Sequence, residues 1–141
     1  MNDIYSALIT RLTSATIAHI DPATDIAYDN ADYDPTGKDA WLATNFIFVE
    51  RSTTAKTVTG LTDTGIFQVD VFVPLNDSTT GIKQYNMRAN EIASDVLSAF
   101  AQNTELTFNT AKVYINNTTF AAPLQSESWY HIPLSINFTR I

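Results

Sequence analysis

Apolar positions recur along this chain with two different periods. Ile4, Leu8 and Leu12 repeat every four residues with Ile9 beside them, which predicts an amphipathic helix over roughly residues 3–15. Asn2 or Asp3 offers a side-chain oxygen to its first free amides, and Pro22 lies beyond its end. A short strand is expected at Ile26–Tyr28, followed by the acidic loop Asp29–Gly37. From Trp41 to Val49 both alternating sets are apolar: Trp41, Ala43, Ile47 and Val49 on one side, Leu42, Phe46 and Phe48 on the other. That pattern suits a strand covered on both faces, either an inner strand or one whose outer face meets a partner.

The stretch 50–64 is polar and Thr-rich and reads as a loop, long for a hairpin connection and of the length that is usually functional or mobile. Phe67, Val69, Val71 and Val73 then alternate with Ile66, Gln68, Asp70 and Phe72, a strand stopped by Pro74. After the loop Asn76–Gly81, Tyr85, Ala89, Ile92, Ala93, Val96 and Phe100 line one helical stripe. Two or three strands follow, around Leu106–Phe108, Val113–Ile115 and Ser128–Thr139. In the last of them Tyr130, Ile132, Leu134, Ile136 and Phe138 alternate strictly, while Pro133, in the opposite set, marks an edge or a bulge. The order is α-β-β-β-α-β-β(-β). It has too few helices for a βαβ series, so the expected fold is α+β: a mostly antiparallel or mixed sheet with two main helices on one face, in a single domain spanning 1–141.

Composition narrows what such a domain can do. Charged residues make up 16% of the 141, well below the usual share, and 20 Thr and 11 Asn take up the difference. Eight Lys and Arg face fifteen Asp and Glu, a net charge of −7, and the basic residues are scattered singly, which argues against a nucleic-acid-binding footprint. There are no cysteines, so disulfides and thiolate chemistry are excluded. The N-terminus lacks the basic start and apolar run of a signal peptide, and no run approaches a membrane helix, so the chain reads as soluble and made in a cytoplasm.

Candidate chemistry is sparse. Asp32-x-Asp34-x-Thr36-Gly37 imitates the start of a calcium loop, but Pro35 stiffens it and Ala43 stands where a bidentate Glu is needed, so a solvated turn is the better reading. His19 and His131 are far apart, neither with a second His at metal-ligand spacing. No nucleophile elbow, phosphate loop or dinucleotide motif occurs. The expectation is therefore a protein without cofactor, metal or catalytic residues. Trp41, Phe46, Phe48 and Phe72 either fill a core or, for the outer set with Trp41 and Phe72, face a neighbouring subunit.

Three stretches together carry a resemblance: the first helix with Ala27-Tyr28-Asp29-Asn30 and the Asp-Pro loop; Gly65-Ile66-Phe67-Gln68-Val69-Asp70-Val71-Phe72-Val73-Pro74 leading into the Ala89–Phe100 helix; and Trp129 to Phe138 closing the chain. In their order the chain resembles the tail terminator (tail completion) proteins of long-tailed, lambda-like bacteriophages, from about Ile4 to Arg140; loop 50–64 matches nothing residue by residue. The resemblance implies a structural virion protein with no enzymatic activity, assembled in the host cytoplasm and found at the head-proximal end of the tail. It would form a hexameric ring that ends polymerisation of the major tail tube protein and joins the tube to a head completion or neck protein. Genome DNA would pass through without specific binding, helped by an acidic lining that repels phosphate. Candidate interface residues are Trp41, Arg51, Lys56, Phe72, Asp77 and Arg88, with uninvolved surface charge as the alternative for the charged ones. The alternative functions are another neck or tail-tube component, such as a stopper or tube subunit, or a small hydrolase or ligand-binding domain at loop 29–39.

Overall fold

The structure, a computed structural model, describes residues 2–29, 31–36, 38–53, 61–75, 85–109, 111–125 and 129–140. Its elements are α1 (Asn2–Ser14), β1 (Ile26–Ala27), β2 (Trp41–Thr53), β3 (Leu61–Pro74), α2 (Tyr85–Ala99), β4 (Glu105–Phe108), β5 (Ala111–Phe120), β6 (Leu124–Gln125) and β7 (Trp129–Arg140). The strands form one sheet in the spatial order β1-β2-β3-β7-β5-β4, with β6 beside β7 on the side of β5. Every pairing is antiparallel except β1 with β2, so the sheet is mixed and the fold is α+β, as the order of elements predicts.

Register decides which face is the core. Phe67, Val69, Val71 and Val73 of β3 stand directly opposite Ile136, Leu134, Ile132 and Tyr130 of β7, and Leu42 of β2 opposes Val71. All are buried, and because side chains alternate across a strand they share one face. α2 covers the middle of that face, packing Ala89, Ile92, Ala93, Val96 and Phe100 against β3 and β7. α1 covers the β4–β5 end with Ile4, Leu8 and Leu12. The two helices are tied at their C-terminal ends, where Arg11 Nε donates to the Ala99 carbonyl at 2.7 Å. A cation there also offsets the negative end of the helix dipole. Among the described residues no helix is long and apolar enough to cross a membrane.

The polar stretch 50–64 departs from the loop expected of it. β2 runs on to Thr53 and β3 begins at Leu61, so its two flanks are paired strands, and residues 54–60 lie outside the described residues. The strand there is held by backbone pairing on both sides rather than by apolar alternation: Asp63 and Thr64 pair with Arg51 and Glu50 across β2 and with Arg140 and Thr139 across β7. Pro133 also sits otherwise than expected. It lies within β7, an interior strand, yet its carbonyl accepts the Ala121 amide at 3.1 Å, so its missing donor points at the break between β5 and β6. The ladder is already interrupted there, and the proline removes little.

The short β1 covers β2 only at Leu42 and Ala43, and the Asp29 carboxylate takes over from it. One oxygen accepts the Thr44 hydroxyl and the other the Phe46 amide, both at 2.6 Å. Thr44 is itself buried on the core face. Asp29→Ala strands both donors, and a buried unsatisfied polar group costs about 1–3 kcal/mol. The expected result is a loss of roughly 2 kcal/mol in urea unfolding, with Asp29→Asn losing less because one oxygen remains to accept.

Candidate assembly surface

The face of the sheet away from the helices is where the two aromatic candidates meet. Trp41 of β2 and Phe72 of β3 are direct register partners, and their rings stack with centroids 4.1 Å apart at 7°. Tyr33, from the acidic loop, stacks on Trp41 at 5.2 Å, and Trp129 meets its edge at 5.8 Å and 87°. His131 of β7, the partner of Phe72 on its other side, stacks on it at 4.3 Å and 10°. The result is a row of rings crossing three strands, each half-buried. Phe46, by contrast, belongs to the core side, stacked on Phe138 at 5.6 Å.

Polar groups in this row are incompletely served. Trp41 Nε1 and His131 Nε2 are shut off from water without a hydrogen-bond partner. His131 Nε2 lies 3.5 Å from Asp70 Oδ1, a charge pair only when the ring is protonated, while Gln68 Nε2 donates to the same oxygen at 3.0 Å. Buried polar groups are nearly always paired in native structures, so an orphan indole N–H shut off from water is a feature in need of a reason.

Of the charged candidates, Arg88 is the one whose side chain is described. Arg88, on α2, donates from Nη1 to the Asp39 carbonyl at 3.4 Å, tying the helix to the entry of β2. Arg51 lies in β2 opposite Asp63, with only its backbone described. Lys56 and Asp77 lie outside the described residues. Sequence reasoning missed the β5–β6 connection, where Phe120 to Leu124 are all exposed. The signal was present as five consecutive apolar residues between two strands.

The acidic loop is a structural device as far as its described groups go. Asp34 Oδ1 accepts the Thr36 amide at 3.0 Å, closing a turn, and Asp25 Oδ2 accepts the Asp21 amide at 2.9 Å. Lys38 Nζ reaches Asp25 Oδ1 at 3.0 Å. Among the described residues no three His, Asp or Glu converge on a position that could hold a metal. Burial pushes the Asp25 carboxyl up, but the Asp21 amide and the Lys38 ammonium outweigh it, and the group sits below the usual carboxylate range. A depressed folded pKa gives stability that is present above the unfolded value of about 3.9 and lost as pH falls through the folded one. Acidification below the unfolded value should therefore loosen the loop, unstacking Tyr33 from Trp41. Lys38→Met should move that transition to higher pH, read as tryptophan fluorescence against far-ultraviolet circular dichroism.

A family model described as phage tail terminator protein matches residues 3–138. No curated protein matches. One solved chain shares the fold with a TM-score of 0.71 at 19% identity, covering 99% of this chain and 94% of that one. A chain from the virion of a native gene transfer agent particle aligns with a TM-score of 0.50 at 13% identity, over 99% of this chain and 92% of that one.

Proposed function

We propose, from the premise that this chain belongs to the phage tail terminator family, that it closes the tail tube as a ring of six copies, ends tube polymerisation and provides the joint to the neck. The observation that carries the reading is the extent of the family match, which runs from the first turn of α1 through most of β7, residues 3–138. A structural protein of the phage tail needs surfaces rather than a reaction centre. The half-buried ring row at Trp41 and Phe72 is our candidate for one such surface, since aromatic residues are enriched at the centres of interfaces. A ring requires two different surfaces per copy that meet head to tail and close by rotation. Its other partners are the major tail tube protein on one side and a head completion or neck protein on the other, with genome DNA passing through the lumen unbound.

Deleting the gene and imaging the lysate by negative-stain electron microscopy tests this. The expected result is headless tails of uncontrolled, overlong length. Tails of normal length unattached to heads would place the chain at a neighbouring neck position. Complete virions would end the assembly reading and send attention back to the acidic loop.

A further inference from the structure

On the side of the sheet away from the helices, the ring row continues past His131. Leu124 of β6 is the register partner of His131, as Phe72 is on its other side, so Trp41, Phe72, His131 and Leu124 stand in one cross-strand row. The rings are half-buried, but Leu124 is 55% exposed, and Ile47, outward on β2, is 38% exposed. Phe120, opposite the buried Leu134, belongs to the other side of the sheet and takes no part.

Charge around this row has one sign. The outward positions of β2 from Ala43 to Ile47, of β3 from Ile66 to Phe72 and of β7 from His131 to Asn137 hold one acid, Asp70, and no Lys or Arg. Tyr33 brings in more acid, since it stacks on Trp41 from a loop in which Asp32, Asp34 and Asp39 are exposed. Asp32 and Asp34 are its chain neighbours, about 4 Å away between Cα atoms and well inside the ~10 Å screening length of a surface charge. Other acids of the segment are already engaged, Asp29 by Thr44 and Phe46 and Asp25 by Lys38.

That sign decides the occupant. A second copy brings fifteen acids against eight bases. Of those bases Arg11, Lys38, Arg88, Lys112 and Arg140 each reach an oxygen of their own chain. An apolar row with an acidic rim is complemented instead by a segment that sets Lys or Arg beside an apolar side chain, because potentials across an interface are matched.

We propose that the row from Tyr33 to Leu124 docks a basic segment of another protein of the phage tail. This assignment rests on the reading of the chain as a tail assembly protein and says what its ring row receives. The test mixes the purified chain with headless tails from the gene-deletion phage and measures co-sedimentation over a range of salt concentrations. Asp32→Lys, Leu124→Ser and Glu91→Lys are compared with the parent; the last makes the same charge reversal on α2, at an exposed position across the sheet. Parental binding is expected to weaken as salt rises. Asp32→Lys should bind about tenfold more weakly at low salt, with a flatter salt dependence. Leu124→Ser should bind several-fold more weakly with the salt dependence kept, and Glu91→Lys should bind as the parent does. The docking assignment is overturned, and the assembly reading left in place, by a parent that does not bind the tails, by binding that Asp32→Lys or Leu124→Ser leaves unchanged, or by an equal loss in Glu91→Lys. Complete virions from the deletion phage end the assembly reading and this assignment with it. Should Leu124→Ser melt early, Asp32→Lys against Glu91→Lys decides.

Discussion

Gly65→Val is expected to destabilise the fold by about 3 kcal/mol or more, well above the typical single substitution. A Cβ built at Gly65 would lie 2.6 Å from the Ile47 carbonyl oxygen and 2.7 Å from Phe138 Cζ. The first neighbour is backbone of the strand paired with β3, so it gives way only if the ladder opens. The second is a fully buried ring that stacks on Phe46 on its other contact and has nowhere to retreat. Gly65 is opposite Phe48 on β2 and Phe138 on β7, at the point where the hairpin of β2 and β3 runs on toward Thr53 and Leu61. The absent side chain is what lets the Phe138 ring cross over β3. Gly65→Ala should already cost roughly 2 kcal/mol and the valine more, which for a domain of this size lowers Tm by roughly 10 °C. Thermal unfolding by circular dichroism measures it. An unchanged Tm for the valine variant would mean that the β2–β3 ladder shifts freely there.

Much of this architecture was legible because burial wrote itself into alternation. The β3 set from Phe67 to Val73 and the β7 set from Tyr130 to Phe138 predicted one face of the sheet, and both are buried as one layer. The helices were visible for the same reason, since Ile4, Leu8 and Leu12 and the stripe from Ala89 to Phe100 have the helical period. β2 was half legible. Its two apolar sets announced two covered faces, but pattern alone could not say that Leu42 faces the helices while Trp41 faces outward onto Phe72. That choice depends on register with β3. Where strands are held by backbone pairing among polar residues, the signal vanishes: residues 50–53 and 61–64 read as loop, and β5 continues through Asn116 to Thr119 beyond the predicted Val113–Ile115. The role of Asp29 in finishing the β2 edge was likewise invisible, because it depends on a contact with Phe46 across seventeen positions of sequence. Of the candidate interface residues, Trp41 and Phe72 could be paired from their strand alternation and the sheet supplied the stack. The bond of Arg88 to the Asp39 carbonyl was not legible in the sequence, since it is a tertiary event.

Phe100→Ala is expected to have the other large effect, and the exposed Phe120 is its internal contrast. Phe100 follows the last residue of α2, is fully buried, and places its ring 5.8 Å from that of Phe67 at the centre of β3. Removing such a ring loses its transfer energy and leaves a cavity, together about 3–5 kcal/mol. The packed strands on one side and α2 on the other limit collapse into the space, which favours the upper part of that range. Phe67→Ala alone should cost a similar amount, because Phe67 lies opposite both Ile136 and Phe46. The double variant should cost less than the two together by about 1 kcal/mol or more, since the two rings line one cavity and the second loss enlarges a void already made. Urea unfolding of the four chains in the cycle measures this coupling. Full additivity would mean that the two rings pack independently and that α2 is held to the sheet elsewhere. Phe120 has the same side chain in water at the edge of the same sheet, so its replacement should leave the unfolding midpoint within about 0.5 kcal/mol of the parent.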